Sequence, residues 1–458
     1  MKIQRKAVLA KFGVCVLIVS LLLATAPGVV LAQPPGYNFT HIATLGDAAP
    51  GGGTFINDFE PWSINAASDI AFAADLSNGG ESIGEGIFVF RNGQLSEIVR
   101  AGQPAPGGGT FTNGVLSHSP INDKGDVAFA FLLGDFPLAG VYHFTRANGT
   151  LSAVMVPGVT PVPGGGGTFQ GASENASLNN GGTIAFAGVI STTKGLPADG
   201  GLGVGVFEVN RFGYISNVVS PGDPAPGGGQ FDVAFHPWVN AGGDIAFGAH
   251  VKGEECIIQR PLFCADSVYV RKASSGQIIS IAHQGGPAPV PGGGTYRFAF
   301  GPALNNAGDM AFIGGLSANS DNGEDLGVFL YSASKGRTDP VALPGDPMPG
   351  GGNLLTAPFF TLNYDVSNRN EVVAFAGVLD TKTNGTDNDT GLYVLSTIGL
   401  RLVARTGTLI QGVGTISGLT APGFPIPWTG GAINERGQIA FAATLTDGNT
   451  VLLLATPG

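Results

Sequence analysis

The chain has 458 residues, of which 43% are hydrophobic and 12% charged, and it contains 75 Gly and 31 Pro. One ordinary domain holds about 100–200 residues, so this length excludes a single simple core and indicates several domains or a repeat array. The formal charge of −11 excludes nucleic acid and anionic membranes as predicted partners, because phosphate groups are bound mainly by Lys and Arg.

The first 32 residues have the pattern of a Sec signal peptide. It consists of basic residues, an apolar stretch and two small residues before a cut at Gln33: Lys2, Arg5, Lys6, Lys11, 12–24, Val30 and Ala32. We expect cleavage and secretion by a bacterial cell, with no stable membrane span in the mature chain; an uncleaved anchor is the alternative. Cleavage removes four positive charges and no negative ones, so the formal charge falls from −11 to −15.

One segment, Asn-x-x-Gly-x-x-Ala-Phe, recurs along the rest of the chain at intervals of 57 to 66 residues. Five copies keep the Asn, the Gly and the Phe: Asn122, Gly125 and Phe129; Asn179, Gly182 and Phe186; Asn240, Gly243 and Phe247; Asn305, Gly308 and Phe312; Asn434, Gly437 and Phe441. Two looser copies, with Ser68 and Glu371 where Gly is expected, keep only the Asn and the Phe: Asn65 and Phe72; Asn368 and Phe375. We interpret these nineteen residues as structural repeat positions.

Each repeat predicts four β-strands, a to d, separated by turns. In the second repeat we expect strand a at about 110–121, strand b at about 126–132, strand c at about 140–145 and strand d at about 150–156. Asn and Gly begin and end the a–b turn, because Asn suits its first position and Gly its left-handed one. A Gly-Asp-Pro-Ala-Pro-Gly-Gly-Gly-Thr-Phe segment then crosses to the next repeat, six times clearly and once in degenerate form.

The ends of the chain predict that the repeats close into a ring. Residues 38–45 resemble a strand d without strands a to c, and the chain ends on a strand c at 451–454. Strand b is bulky on one face (Ile70, Phe72) and small on the other (Ala71, Ala73), which suits head-to-tail stacking. We therefore predict an all-β, seven-bladed β-propeller of four-stranded blades, closed by the N-terminal strand pairing with the C-terminal blade; an open solenoid is the alternative.

The predicted domain is 33–458. Its repeats lie near 54–100, 110–156, 168–220, 230–283, 295–343, 353–405 and 413–456, the last completed by 38–45. The Asn-x-x-Gly-x-x-Ala-Phe copies resemble a family of exported bacterial tandem-repeat proteins named after that motif. The Gly-Asp-Ile-Ala-Phe core is also similar to strands of TolB-like propellers. The resemblance implies export and repeat architecture, and it implies no activity or catalytic residues.

The b–c loops vary in length, so we expect a site on their face, at the mouth of the central channel. The longest of them carries Cys256 and Cys264, which we predict to form a disulfide in an oxidising compartment; two free thiols are the alternative. The Gly-Gly-Gly crossings could bind an anion, but special backbone angles are the preferred interpretation. Two acidic loops, 321–325 and 387–389, have oxygen ligands suited to Ca²⁺, but solvated turns are preferred.

No catalytic, cofactor or metal residues are predicted. The six His residues are dispersed in sequence, and the Asp residues after the a–b turns (Asp69, Asp126, Asp244 and Asp309) are interpreted as turn caps rather than as a metal ring. Two functions are carried forward. The first is a secreted, monomeric binding or scaffold module for a protein or glycan on the b–c face. The second is a secreted hydrolase or lyase with carboxylates in the channel. Converging carboxylates with shifted pKa values would favour this second function.

Overall fold

A computed structural model describes residues 36–112, 114–115, 120–135, 138–165, 167–191, 202–256, 259–260, 263–264, 266–316, 326–362, 371–383, 385, 387–419 and 431–458. The predicted signal peptide, 1–32, lies outside these residues. The described chain is built from β-strands. Within the same ranges, no helix has the length and hydropathy needed to cross a membrane.

The described residues form thirty-one strands, which follow one another along the chain. The first twelve are β1 (Tyr37–Thr44), β2 (Thr54–Ile64), β3 (Ile70–Asn78), β4 (Glu81–Arg91), β5 (Gln94–Arg100), β6 (Val127–Leu132), β7 (Ala139–Thr145), β8 (Thr150–Met155), β9 (Gly171–Leu178), β10 (Ile184–Ser191), β11 (Leu202–Val209) and β12 (Ile215–Val219). The next ten are β13 (Phe231–Val239), β14 (Ile245–Val251), β15 (Gln259–Arg260), β16 (Phe263–Cys264), β17 (Ser267–Arg271), β18 (Ile278–Ala282), β19 (Tyr296–Leu304), β20 (Met310–Leu316), β21 (Leu326–Ser332) and β22 (Arg337–Ala342). The last nine are β23 (Leu354–Leu362), β24 (Glu371–Leu379), β25 (Thr390–Ser396), β26 (Gly399–Arg405), β27 (Leu409–Ile410), β28 (Gly414–Gly418), β29 (Gly431–Ile433), β30 (Ile439–Leu445) and β31 (Thr450–Pro457).

These strands form seven antiparallel sheets, which are the blades of a β-propeller, plus the small β15–β16 hairpin in a b–c loop. Five blades have four strands in the order a-b-c-d. In the second blade the expected strand a at 110–121 is not continuous: Val115 pairs with Phe131 and Ile121 with Val127 as isolated bridges. In the seventh, strand a is divided between β28 and β29, which both pair with β30.

In five of the seven seams the first strands of the two blades contact each other, which places these strands around the axis: β9 and β13, β13 and β19, β19 and β23, β23 and β29, and β29 and β2. The predicted closure is confirmed. Strand β1 pairs antiparallel with β31, placing Phe39 opposite Ala455 and Thr44 opposite Val451, and so supplies strand d of the blade whose strand c ends the chain.

The two faces of strand b explain how the blades stack. In every seam an Ala from one blade shares a core with the Phe of the next: Ala71 with Phe129, Ala128 with Phe186, Ala185 with Phe247, Ala246 with Phe312, Ala311 with Phe375, Ala374 with Phe441, and Ala440 with Phe72. The last pair joins the seventh blade to the first. Both faces of each sheet are therefore buried, and the predicted packing of bulky faces on small ones is confirmed.

The crossings between blades need the special backbone angles expected of their glycines. Gly51, Gly52 and Gly53 have φ values of 81°, 104° and 80°, a region that favours glycine. The Gly52 N–H donates to the carbonyl of Ala49 within the loop. Arg100 donates to the carbonyls of Pro50 and Gly52, so this crossing presents oxygens to a cation.

Candidate functional site

One pair of facing residues, at the end of strand b and the start of strand c, differs between blades. In five blades it is apolar or contains Thr: Leu132 and Ala139, Val189 and Val204, Gly315 and Leu326, Val378 and Thr390, Thr444 and Thr450. In the first blade it is Asp75 and Glu85, and in the fourth it is His250 and Asp266. Both ionisable pairs lie beside the b–c loops, on the face where the sequence predicts a site.

Asp75 and Glu85 belong to a group of polar residues that we call the first-blade cluster: Asn57, Asp58, Glu60, Asp75 and Glu85. Strand β2 brings three of them in, because it is bulged between Ile56 and Phe59 and again after Glu60. A bulge turns side chains away from strict alternation. Asn57, at φ 64°, donates from Nδ2 to Asp75 Oδ2 at 2.8 Å.

The cluster lies at the seam with the second blade. Glu85 Oε2 accepts the backbone N–H of Val115, the first-strand region of that blade, at 2.6 Å. Asp58 Oδ1 accepts the N–H of Phe59 at 2.6 Å. These backbone donors hold one oxygen of each carboxyl group in place.

Burial and mutual repulsion keep part of the cluster protonated near neutral pH. Burial is the largest cause that raises the pKa of Glu85 to about 8, and the charges of Glu60 and Asp75 add to it. Burial likewise raises the pKa of Asp58 to about 7, again with help from Glu60 and Asp75. The hydrogen bonds from Val115 and Phe59 oppose these shifts without cancelling them.

The cluster can therefore both donate and accept protons. At pH 7 a neutral Glu85 carboxyl offers an O–H donor next to charged carboxylates, which are acceptors. Carboxyl groups whose pKa values are driven apart are the arrangement used for paired acid and base roles.

The fourth-blade cluster consists of His250, Glu254, Asp266 and His283. His250 Nδ1 and Asp266 Oδ2 are 2.9 Å apart, and their side chains are 6% and 0% exposed. Burial raises the pKa of Glu254, as does Asp266, while His250 and His283 lower it. One oxygen each of Glu254 and Asp266 is buried without a hydrogen-bond partner.

The recurring Asn residues form a belt through the a–b turns rather than a ligand site. Five of the six described ones donate from Nδ2 to the backbone carbonyl of the Asn in the following blade: Asn65 to Asn122 (3.0 Å), Asn122 to Asn179 (3.4 Å), Asn179 to Asn240 (2.9 Å), Asn240 to Asn305 (3.0 Å) and Asn434 to Asn65 (3.0 Å). Their Oδ1 atoms accept the N–H four residues later. Asn368 lies outside the described residues.

The other repeat residues complete the turns and the core. The turn glycines have φ between 68° and 85°: Gly125, Gly182, Gly243, Gly308 and Gly437. Ser68 takes the same conformation, at φ 71°, where the sequence departs from Gly, whereas the sixth turn, before Glu371, lies outside the described residues. The motif Phe residues are all buried: Phe72, Phe129, Phe186, Phe247, Phe312, Phe375 and Phe441.

The Asp residues after the a–b turns reach the c–d turn of the same blade. Asp126, Asp244 and Asp309 accept the backbone N–H groups of Arg146, Ala273 and Ala333 at 2.8–3.0 Å. Asp69 pairs with Arg91 instead, at 2.8 Å. Among the residues that the structure describes, no group of three or more His, Cys, Asp or Glu side chains is arranged to hold a metal ion.

The candidate Ca²⁺ loops give no free ligand set where they can be followed. Asp389 accepts hydrogen bonds from Thr381 and Thr383 and pairs with Arg405 at 3.1 Å. Burial would raise its pKa, but these donors outweigh that effect and hold it below the ordinary value. The loop 321–325 lies outside the described residues.

The predicted disulfide lies in the hairpin of the fourth b–c loop. Cys264 belongs to β16, where its backbone pairs with Gln259, but its side chain is outside the described part of the chain. The pairing of Cys256 with Cys264 therefore stays a prediction.

Sequence reasoning missed both clusters because it examined the repeat for what recurs. The usable signal lay in the positions that differ between repeats. Asp75 and His250 both follow the motif Phe by three residues. Glu85 and Asp266 both precede the aromatic residue of strand c by three residues. Aligning the repeats with one another would have exposed these exceptions. The His residues are dispersed in sequence, yet the fold brings His250 and His283 to the same carboxylate, Glu254.

Several solved structures are similar to this chain. An oligogalacturonate lyase from Vibrio parahaemolyticus is 10% identical, with 93% of this chain and 98% of that chain covered and a TM-score of 0.50. An oligogalacturonate lyase in complex with manganese is 13% identical (93% and 99% covered, TM-score 0.49), and TolB from Acinetobacter baumannii is 12% identical (81% and 65% covered, TM-score 0.37). At such identities the likeness concerns the fold alone.

No protein of curated function matches the chain in sequence. A family profile, described as a family of unknown function (DUF7453), matches residues 29–454. That match covers nearly the whole propeller, from before β1 into β31. The chain belongs to this family of unknown function, DUF7453.

Proposed function

We propose that the chain is a glycan-binding propeller whose first-blade cluster takes a neutral or amino sugar. The observation that carries the proposal is the meeting of four carboxyl groups on the b–c face, where burial and mutual repulsion raise the pKa of Glu85 to about 8 and that of Asp58 to about 7. Sugar hydroxyls both donate and accept hydrogen bonds, so a mixed set of carboxyls and carboxylates suits them. The Asn57 amide adds a further donor and acceptor.

Charge selects among glycans. The formal charge of the chain is −11, and the cluster itself is acidic, so a uronate or sulfated sugar would be repelled. A protonated amino sugar would be attracted. For this reason we do not extend to this chain the acidic substrate named for the similar lyases.

Hydrolysis of a bound glycan is the second candidate. The raised pKa of Glu85, about 8, keeps a proton available for a leaving group at neutral pH, while Asp75 supplies a charged carboxylate on the facing strand. A protonated acid beside an ionised carboxylate is the requirement of most glycosidases.

Calorimetry on the purified chain from Gln33 onward tests the proposal, using neutral, amino-sugar and uronic oligosaccharides. We expect binding of the first or second class and at least about tenfold weaker binding by Glu85→Gln and Asp75→Asn, since each loses a hydrogen bond to a charged or protonated group. Asp339→Asn, which alters an exposed carboxylate on β22, is the matched control. Binding of uronates alone, or equal affinity of all variants, would refute the assignment.

A reducing-end assay on the same glycans separates binding from hydrolysis. Release of new reducing ends that disappears in Glu85→Gln would establish the second candidate. Binding without release would leave the propeller as a recognition module.

We propose in addition that the chain is exported and that its two remaining cysteines are joined. The signal-peptide pattern before Gln33 supports export, and the positions of Cys256 and Cys264 at the two ends of one short loop segment support the bond. Mass spectrometry of the secreted protein should give an N-terminus at Gln33. Its mass should rise by about 2 Da on reduction. An intact N-terminus or an unchanged mass would contradict the respective proposal.

A further inference from the structure

The seam between the fourth and fifth blades contains a buried His–Asp pair at positions that are apolar or contain Thr in five other blades. His250 ends strand b, Asp266 precedes strand c, and their side-chain atoms are 2.9 Å apart. The backbone carbonyl of Asp266 accepts the N–H of Ala299, on the first strand of the fifth blade, at 2.9 Å. One residue therefore joins the pair to the neighbouring blade.

Asp266 depends on His250 for compensation of its charge. Its side chain is fully buried, and its second carboxylate oxygen has no hydrogen-bond partner. A buried carboxylate is costly unless it is paired and hydrogen-bonded. A protonated imidazole balances the charge, whereas a neutral imidazole supplies only a hydrogen bond.

Other ionisable groups of the described residues surround the pair. Glu254 comes from the b–c loop and His283 from the crossing after strand d, and both interact electrostatically within the cluster. Tyr269, on strand c, feels the charge of Glu254. His250 itself faces Val233 on strand a, which is apolar. Of these groups, only His250 contacts Asp266 directly.

We propose that this seam is sensitive to pH: protonation of His250 tightens the junction of Asp266 with the fifth blade, and loss of that proton loosens it. This sensitivity gives the b–c face a response to acidity that is independent of ligand binding at the first-blade cluster.

Hydrogen exchange followed by mass spectrometry tests the proposal on the full mature chain. After correction for intrinsic rates, we expect peptides covering β19, Tyr296–Leu304, to exchange about tenfold more slowly at about pH 5.5 than at about pH 8, which corresponds to a difference of one pKa unit. Peptides covering β9, Gly171–Leu178, serve as an internal control, because their seam has Leu132 and Ala139 at the matching positions. There the corrected rates should not change.

Two variants identify the responsible group. His250→Gln should abolish the pH response of β19, while His41→Gln, which alters an exposed histidine of the first strand, should preserve it. If His250→Gln does not fold, histidine NMR on the unaltered protein replaces it: the His250 resonance must titrate within about one pH unit of the exchange transition. A pH-independent β19, a response that survives His250→Gln, or separate midpoints would overturn the proposal.

Discussion

Glycine stands two residues before the aromatic side chain of strand c in five blades, and the ring lies over it. A Cβ built on Gly140 would lie 2.5 Å from Tyr142 Oη, and one on Gly391 would lie 2.5 Å from Tyr393 Oη. These glycines are required for close approach, since their φ values are not in the left-handed region. The aromatic ring therefore occupies the space that a side chain on the glycine would take in the core next to the b–c face.

We expect Gly140→Ala to lower the free energy of unfolding by about 1–3 kcal/mol, the usual cost of overpacking a core. Gly248→Ala is the matched control, because its nearest neighbour would be at 3.8 Å and the change should cost almost nothing. Urea unfolding of both variants measures the difference. Equal stability of the two would contradict this account of the glycine.

The raised pKa of Glu85 predicts a specific pH dependence of stability. Its pKa is about 8 in the folded chain and 4.5 ordinarily, so between these values the unfolded state has lost a proton that the folded state keeps. Stability is therefore lost as the pH rises through this window. Glu85→Gln removes this pH dependence. We therefore expect the free energy of unfolding of Glu85→Gln, relative to that of the unaltered protein, to increase by at least about 1 kcal/mol from pH 5 to pH 8.5.

Unfolding free energies from urea titrations at the two pH values measure this effect. Asp339→Asn, with its exposed carboxylate, should show no such divergence. Parallel pH profiles for Glu85→Gln and the unaltered protein would show that Glu85 ionises normally.

At the level of strands and turns, hydrogen bonds across the seams occur at both ends of the blades. Near the b–c face, the N–H groups of Val115 and Leu419 donate to Glu85 Oε2 and Thr390 Oγ1, at 2.6 and 2.8 Å. At the opposite face, the Asn side chains of the belt also form hydrogen bonds from one blade to the next. Apolar packing between blades is not directional, so these polar contacts fix the rotation of each sheet on the next.

Asn122→Ala should lower the free energy of unfolding by about 2–4 kcal/mol, because it removes two acceptor bonds within the turn and one of the two hydrogen bonds that the carbonyl of Asn179 accepts. The matched control is Asn148→Ala, an exposed c–d turn residue with one hydrogen bond, for which we expect less than about 1 kcal/mol. Thermal or urea unfolding distinguishes them. Similar losses would mean that the belt contributes no more than an ordinary turn.

The strands could be predicted from sequence because their causes are local and repeated. In the second blade the expected strand b at 126–132 is observed at Val127–Leu132, and strand c is one residue longer than expected. Strand a of that blade was wrong as a continuous element. Gly114 interrupts it, because this residue has φ 116°, a left-handed conformation that an extended strand does not take.

The candidate site could be predicted only to a face of the molecule. The cluster joins Asp58, Asp75 and Glu85, which lie on three strands and meet through sheet register and a bulge. Proximity of this kind is set by tertiary structure, and so is the burial that shifts the pKa values. The spacing of residues along the sequence indicates neither their proximity in the fold nor their burial.

For the whole molecule, closure involves more than one strand pairing. The seventh blade takes β1 from one end of the chain and β31 from the other. The seam beyond it is joined by Asn434 to the carbonyl of Asn65 and by Ser68 to Gln438 at 2.6 Å. The hydrophobic core of that seam contains Phe72 and Ala440, so the ring is as continuous here as elsewhere.

Removal of residues 36–45 should open the ring at its outer edge and lower the melting temperature by more than about 5 °C. The exposed edge of β31 should also favour self-association, since unpaired strand edges recruit other chains. A chain beginning at Gly36 is the control. Calorimetry and light scattering provide the measurements, and a truncated chain that melts unchanged as a monomer would show that β1 is dispensable.

The pairing of β1 with β31 also orders the events of synthesis. The ribosome makes β1 before the other described strands and β31 after them, about four hundred residues later. Six blades can assemble before β31 exists, but the seventh sheet cannot. Until β31 is made, the propeller is an open arc. A factor that keeps β1 unpaired during this interval therefore decides whether the ring closes within one chain or between two.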